Sequence, residues 1–147
     1  MDIWNMKILV YGSLNQDIVY DVARFGLPGE TTKALHVSRF PGGKGLNQAV
    51  AAAQAGSEVF MAGTIGPDGD WLLDVLKNKG ADVSLINRTA GSTGTAIIER
   101  DTAGQNRILL DPGANHCSTE AAIRHTLDHF PPATWSSART KRTLWTF

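Results

Sequence analysis

The stretch Pro41-Gly42-Gly43-Lys44-Gly45-Leu46-Asn47-Gln48 is the most informative part of this chain, because it joins a glycine-rich turn directly to an alanine-rich segment. Gly42, Gly43 and Gly45 allow positive φ angles, and they let a ligand approach the backbone where a Cβ would block it. Asn47 and Gln48 place amide donors and acceptors at the mouth of the following helix. Such a turn either holds a ligand or only reverses the chain.

Around this turn, buried strands alternate with helices. Short apolar runs closed by glycine are typical of strands, whereas alanine-rich or amphipathic stretches ending at glycine are typical of helices. The predicted elements are a strand Lys7–Tyr11, a helix Leu46–Ala55 capped by Gly56, a strand Val59–Ala62, a helix Trp71–Lys79 capped by Asp70, a strand Val83–Ile86, and a helix Glu120–Phe130 capped by Ser118 or Thr119. This order predicts an α/β fold with a parallel sheet and right-handed crossovers.

Two further segments alternate polar and apolar residues, a pattern that favours antiparallel strand pairs over helices. The first pair comprises Ile18–Val22 and Thr32–Val37. The second pair comprises Thr95–Arg100 and Asn106–Leu110, and the spacing predicts a hairpin with a five-residue loop.

Polar side chains follow the first predicted strand. Ser13-Leu14-Asn15-Gln16-Asp17 comes directly after Gly12, which closes that strand. In open α/β sheets, ligands bind beyond the carboxyl ends of the strands. Asn15 and Asp17 are therefore candidate binding residues, and an Asx turn is the structural alternative.

Composition excludes several classes of function. The 147 residues contain 14 basic and 14 acidic side chains, a balance that argues against a nucleic-acid-binding surface or an anionic-membrane surface. No apolar run is long enough to span a bilayer, and Met1–Tyr11 lacks the features of a signal peptide. The single cysteine, Cys117, excludes an internal disulfide and fits a reducing compartment, so we expect a cytoplasmic protein.

Other interpretations of the glycine turn fail on specific residues. A dinucleotide-binding fingerprint needs a third glycine where Gln48 stands, and a P-loop needs Ser or Thr where Gly45 follows Lys44. The four histidines are scattered and Cys117 has no cysteine partner, so we expect no metal site. We also expect Cys117 to be packed rather than nucleophilic.

The spacing of several motifs together is more specific than the turn alone. Gly42-Gly43-Lys44-Gly45-Leu46-Asn47-Gln48-Ala49, followed by Gly56 and Gly66, resembles the first signature of the ribokinase-like (PfkB) family of carbohydrate kinases. The other motifs in that family's order and spacing are Gly12-Ser13-Leu14-Asn15-Gln16-Asp17, Pro28-Gly29-Glu30-Thr31 and Gly113-Ala114-Asn115. The resemblance runs from about Met6 to about Phe130. It implies a Rossmann-like parallel sheet with flanking helices and a small antiparallel β lid, incomplete at the C-terminus.

The resemblance also implies a sugar-binding site made of two halves. Asn15 and Asp17 match the pair that hydrogen-bonds sugar hydroxyls, and Gly43, Lys44 and Asn47 match the second side of that site. The chemistry agrees, because carboxylates, amides and exposed backbone select a neutral polyol. Each of these groups penalises an analogue that leaves a buried polar group unpaired.

The family's lid would comprise the two alternating strand pairs, at about residues 17–40 and 94–111. In the family this lid covers the sugar and excludes water, and in ribokinases it pairs two subunits, which implies a homodimer.

Sugar-phosphate kinases of the family tend to carry an arginine early in the helix after the Asn, but Gln48–Ala55 contains no Lys or Arg. An unphosphorylated sugar is favoured, ribose first, with fructose, deoxyribose or a nucleoside as alternatives.

The chain departs from the family in the second half of the family pattern. The family's catalytic aspartate lies in an Asp-Thr-x-Gly-Ala-Gly-Asp motif, and the residues for ATP and Mg²⁺ belong to that same half. None of these motifs occurs in the 147 residues. Residues 131–147 show no strand or helix period, which suggests a disordered or non-native tail, such as a frameshift product, with a C-terminal interaction segment as the alternative.

These observations predict the N-terminal portion of a ribokinase-type sugar kinase over residues 6–130, with no catalytic residue and no kinase activity of its own. Two alternatives stay open. The chain is either a non-catalytic sugar-binding module or a remnant without function, poorly soluble because a sheet edge is unpaired.

Overall fold

The computed structural model describes residues 7–130, and two sheets carry the fold there. The first sheet has three parallel strands, β1 (Lys7–Tyr11), β4 (Glu58–Ile65) and β5 (Ala81–Arg88), in the order β1-β4-β5. Three helices, α1 (Lys44–Gln54), α2 (Asp70–Asn78) and α3 (Glu120–His129), accompany it. The predicted parallel α/β arrangement is confirmed, with strands somewhat longer than their apolar runs.

The second sheet has four strands in the order β3-β2-β6-β7. They are β2 (Asn15–Val22), β3 (Ala34–Gly42), β6 (Gly94–Arg100) and β7 (Asn106–Asp111). The antiparallel pairs β2–β3 and β6–β7 are confirmed, and a parallel pairing of β2 with β6 joins them into one sheet. Ion pairs between register partners, Asp21 with Arg100 and Glu99 with Arg107, support this register.

The core lies between the three-stranded sheet and helices α1 and α2. Small side chains on α1 allow close packing against the strands, and Ala49 is fully buried. The buried residues of this core are Leu14, Leu46, Ala49, Val59, Met61, Ile65, Leu72, Leu76 and Ala81. Leu14 lies in the loop between β1 and β2, so the core reaches the point where the chain passes from the first sheet to the second.

The start of α2 differs from the prediction. The sequence predicts Asp70 as the N-cap, but Pro67–Gly69 form a 3-10 turn, Gly69 occupies the cap position, and no side chain caps the helix. Proline fixes a helical φ and lacks an N–H group, so the chain already turns before residue 70. Asp70 instead forms an exposed ion pair with Arg88.

Two other predicted caps are confirmed. Gly56 follows α1 with a φ of 91°, as a C-terminal glycine cap requires. Thr119 Oγ1 accepts a hydrogen bond from the backbone N–H of Ala122 and caps α3.

The predictions for residues 131–147 lie outside the described residues. No helix in the described part of the chain is both long and apolar enough to cross a membrane.

Candidate functional site

The glycine turn packs against the loop between β1 and β2. The backbone N–H of Leu46 donates to Ser13 O at 3.2 Å, and the N–H of Lys44 donates to Ser13 Oγ at 3.1 Å. A Cβ on Gly45 would lie 2.6 Å from the carbonyl carbon of Gly12. The turn therefore fixes the first turn of α1 against the loop that leads into β2, which is more than a reversal of the chain.

Among the three glycines of the turn, Gly43 alone has a positive φ, of 95°. The sequence predicts conformational freedom at Gly42 and Gly45 as well, and for these two the prediction is wrong. A Cβ on Gly42 would lie 2.2 Å from the Asp17 carboxyl group, and Gly45 touches the backbone of Gly12. Both positions need glycine because another group comes close, and not because of their backbone angles.

Asn15 and Asp17 lie on one face of β2, since alternate residues of a strand share a face. Neither forms the alternative Asx turn, because both pair in register with β3 and β6. Asn15 lies opposite Gly42 on β3 and Gly94 on β6. A glycine on each side leaves room around the Asn15 side chain and for the carboxyl group of Asp17.

Asp17 is half-buried, and this burial raises its pKa above the ordinary value. Loss of hydration disfavours the charged carboxylate, which increases its tendency to accept hydrogen bonds from a ligand. A hydroxyl group of a neutral ligand can supply such a bond without adding charge. Asp17 is therefore placed to accept a hydrogen bond from a ligand.

The second half of the predicted site lies on the same side of the turn. A Cβ on Gly43 would lie 2.5 Å from Ser13 O and 3.0 Å from the backbone nitrogen of Asn15. Lys44 and Asn47 are exposed in the first turn of α1, and the Asn47 N–H donates to Gly43 O at 3.0 Å. The structure thus brings the start of β2 and the start of α1 together at one surface.

A hydrogen-bond network that the sequence does not predict joins β2 and β6 to the start of α2, next to the three-stranded sheet. Asp68 Oδ2 accepts from Gln16 Nε2 at 2.8 Å, and Oδ1 accepts from the N–H and Oγ1 of Thr93, both at 2.8 Å. Gln16 Oε1 accepts from Trp71 Nε1 at 3.1 Å. Burial acts to raise the pKa of Asp68, but the hydrogen bonds from Thr93 and Gln16 outweigh it and lower that pKa. No motif distinguishes Asp68 from neighbouring acids in the sequence.

Asn115 is a second residue without a role in the sequence prediction. Its Oδ1 accepts from the backbone N–H of Leu14 at 3.0 Å, and its Nδ2 donates to Leu14 O at 3.2 Å and to Asn15 Oδ1 at 2.8 Å. The only indication in the sequence is that Gly113-Ala114-Asn115 falls in the order and spacing of the family's motifs. The contact with Asn15 crosses 100 positions of the chain, so only the fold reveals it.

A cleft of about 390 Å³ lies near the carboxyl ends of β4 and β5. Cys117 lines it and is exposed, with Sγ 3.9 Å from Thr89 Oγ1. The prediction of a packed Cys117 is wrong, because the 3-10 turn Gly113–Cys117 ends at the surface.

Within residues 7–130, no three His, Cys, Asp or Glu side chains are grouped so that they could hold a metal ion.

Known proteins resemble this chain over the same region. The family model described as pfkB family carbohydrate kinase matches residues 5–135. The ribokinase of Staphylococcus aureus (strain COL) is 38% identical over 129 residues, which cover 83% of this chain and 41% of that protein. The ribokinase of Haemophilus influenzae is 37% identical over 122 residues, which cover 81% of this chain and 40% of that protein.

Solved structures give the same result. A ribokinase from Cryptococcus neoformans in complex with ADP has a TM-score of 0.68 at 37% identity, covering 74% of this chain and 35% of that one. Arabidopsis thaliana ribokinase complexed with ribose and ATP has a TM-score of 0.67 at 31% identity, covering 73% and 36%. The chain spans about two fifths of the length of the curated relatives named above.

Proposed function

The chain belongs to the pfkB family of carbohydrate kinases, and we propose that its described part binds an unphosphorylated sugar between β2 and the first turn of α1. The observation that carries the proposal is the convergence of Asn15 and Asp17 with the glycine turn, where Gly42 and Gly94 leave the space that these two side chains occupy. Gly43, Lys44 and Asn47 form the second side of the proposed site.

The proposed recognition uses hydrogen bonds to neutral hydroxyl groups. Asp17 accepts bonds from hydroxyls, while Asn15 and Asn47 offer amide groups. A sugar that lacks one hydroxyl leaves a desolvated polar group unpaired, which costs about 1–3 kcal/mol. Selectivity therefore comes from the polar groups rather than from apolar area.

Ribose is the sugar that we propose first. The relatives with 37–38% identity are named ribokinases, and one matched structure contains ribose and ATP. The helix after the turn has no Lys or Arg between Gln48 and Ala55 that could pair with a substrate phosphate. Fructose, deoxyribose and nucleosides are the alternatives that a titration series distinguishes.

The four-stranded sheet acts in this proposal as a lid that covers the sugar and excludes water. Its exposed apolar side chains also support a homodimer through the lid. Phe40, Ile108 and Leu110 are 51%, 60% and 56% exposed, and the register places all three on the face of the sheet that carries Asp17. Exposed apolar clusters of this kind mark contact surfaces.

Phosphate transfer requires groups that these residues do not supply. The family's catalytic aspartate lies in an Asp-Thr-x-Gly-Ala-Gly-Asp motif, and this motif does not occur in the 147 residues. In the whole family protein, ATP and Mg²⁺ supply the phosphoryl group and neutralise its charge. We expect these residues alone to bind sugar in the cytoplasm without phosphorylating it.

A calorimetric titration with ribose, fructose and 2-deoxyribose, together with a coupled assay for ADP release, tests the proposal. Saturable binding that is tightest for ribose, without ADP release, is the expected result. ADP release that depends on both ribose and the purified chain would overturn the expectation of inactivity. A cooperative melting transition would count against the remnant without function, and saturable ribose binding would support a binding module.

A further inference from the structure

We infer that Asn115 is a positioning residue, which turns the side-chain amide of Asn15 so that its NH₂ group faces the candidate sugar site. This inference rests on the proposed function. An amide side chain can rotate by 180° about its last bond and exchange its donor and acceptor positions. Whether Asn15 offers a donor or an acceptor therefore depends on what holds it.

Backbone groups of Leu14 fix the orientation of Asn115. A backbone N–H can only donate, so the atom 3.0 Å from the Leu14 N–H must be the oxygen of Asn115. A backbone carbonyl can only accept, so the atom 3.2 Å from Leu14 O must be the nitrogen. Rotation of the Asn115 amide would break both bonds at once.

The orientation of Asn115 in turn fixes Asn15. The Asn115 nitrogen lies 2.8 Å from the side chain of Asn15 and can only donate, so the atom that it meets must be Asn15 Oδ1. The oxygen and nitrogen of an amide point to opposite sides of the side chain. Asn15 Oδ1 faces Asn115 and Gly94 of β6, so the NH₂ group of Asn15 is directed away from both.

Gly94 provides the space for this contact. A Cβ on Gly94 would lie 2.2 Å from Asn115 Nδ2 and 2.5 Å from Asn15 Oδ1. Gly94 has no positive φ that would require glycine for the backbone itself. The absence of a side chain at this position makes room for both asparagines and for Pro112 O, which would lie 2.9 Å from that Cβ.

The result is a site with one fixed donor and one fixed acceptor. Asp17 accepts hydrogen bonds, and its carboxyl group lies over Gly42, on the side of Asn15 opposite Gly94. A hydroxyl group that donates to the Asp17 carboxylate still has lone pairs that can accept from the Asn15 NH₂ group. Two acceptors in these positions would compete for the same hydroxyl proton.

NMR of the side-chain amides tests the orientation without any sugar. The NH₂ signals are assigned by their loss in Asn15→Asp and Asn115→Asp. In the wild type, the Asn115 protons should exchange slowly with water and the Asn15 protons quickly. In Asn115→Asp, the Asn15 amide should turn toward the new carboxylate and become protected. Equal protection of both amides in the wild type would overturn the inference.

Ribose titration tests the consequence. Asn115→Asp keeps an acceptor for the Leu14 N–H but loses the donor to Leu14 O and to Asn15, so it should weaken binding about tenfold or more. Gly94→Ala should weaken binding similarly, whereas Gly91→Ala, whose Cβ would meet only Thr89 Cγ2 at 3.9 Å, should not. If Asn115 acts through Asn15, the double variant with Asn15→Ala should bind no more weakly than Asn15→Ala alone.

The outcomes separate this inference from the proposed function. Unchanged ribose affinity in a folded Asn115→Asp variant, beside a wild type that binds, would overturn the positioning role alone. Additive losses in the double variant would do the same. Absence of ribose binding by the wild type, with the predicted amide exchange intact, would overturn the proposed function, and the positioning role would fall with it.

Discussion

At the scale of single residues, Asp17 combines a proposed binding role with a cost to stability. Its carboxyl group lies over Gly42, and burial raises its pKa. A group placed for a ligand is often not placed for stability, because its hydrogen-bonding partner is present only in the complex. Asp17 should show this conflict in its pH dependence.

The variant Asp17→Asn should be more stable than the wild type at neutral pH. Because the folded pKa is raised, the folded state binds a proton more tightly than the unfolded state, and stability falls as pH rises from about 4 through the folded pKa. The variant has no such carboxylate. Thermal melts between about pH 3.5 and 7.5 should show that the difference in melting temperature between the variant and the wild type becomes smaller at acid pH. A difference that grows toward acid pH would contradict this.

Gly45→Ala should destabilise the chain by about 1–3 kcal/mol, as expected for overpacking. The added Cβ would lie 2.6 Å from the carbonyl carbon of Gly12 and 2.7 Å from its Cα, and backbone atoms cannot move aside easily. Gly91→Ala is the control, since its Cβ would make only an ordinary contact with Thr89 Cγ2 at 3.9 Å. Urea unfolding measures both variants, and equal stability of the two would refute the close-packing explanation.

At the scale of secondary structure, Asp68 connects elements that lie far apart in the chain. Its two oxygens accept hydrogen bonds from β2 through Gln16 and from the residue before β6 through Thr93, which is fully buried. Both strands begin next to these residues, where the chain enters the four-stranded sheet. The hydrogen bonds of Asp68 should therefore set how firmly the four-stranded sheet is attached.

Asp68→Asn should lower stability by about 1–2 kcal/mol, because an amide cannot accept at both positions. Rotation of Gln16 cannot compensate, since its oxygen already accepts from Trp71 Nε1. Asp70→Asn, which removes an exposed ion pair with Arg88, should have a much smaller effect. Urea unfolding of both variants checks this, and equal losses would contradict it.

The same change has a defined pH dependence. The folded pKa of Asp68 is lowered, so its contribution is present above pH about 4 and is lost as pH falls through the folded pKa. The difference between the wild type and Asp68→Asn should therefore shrink on acidification. A difference independent of pH would mean that the charge on Asp68 does not matter.

Local patterns predict the elements well and the contacts between them poorly. Apolar alternation and glycine positions predict the strand pairs, and Thr119 caps α3 as expected. The predicted cap at Asp70 is wrong because Pro67 turns the chain earlier. The Asn15–Asn115 bond joins residues 100 positions apart and has no local signal. Their place after a strand predicts Asn15 and Asp17 as binding residues, but their proximity to Gly42 and Gly94 depends on register.

At the scale of the whole molecule, the four-stranded sheet carries exposed apolar side chains on both of its faces. Phe40, Asp17, Ala96 and Leu110 lie in one row across the strands by their register. Leu109, next in sequence to Leu110, pairs with Ile97 on the opposite face. Neighbouring residues of β7 therefore separate the proposed dimer face from the other face.

Ile108→Lys or Leu110→Lys should dissociate the proposed homodimer, because a charge would enter an apolar contact. Leu109→Lys is the matched control, with 69% of the wild-type residue exposed but on the other face. Analytical ultracentrifugation should detect monomers for the first two variants and dimers for the control and the wild type. A wild type that is monomeric at all concentrations would refute the homodimer.

The most direct test of the proposed sugar site is ribose titration of the wild type, Asp17→Asn and Asp21→Asn by calorimetry. Asp21 lies on the same face of β2 as Asp17 but pairs with Arg100, away from the glycine turn. We predict saturable binding by the wild type and Asp21→Asn, and loss of at least tenfold in affinity for Asp17→Asn. Ribose binding that is equally strong in all three proteins, or absent from the wild type, would contradict the proposed site.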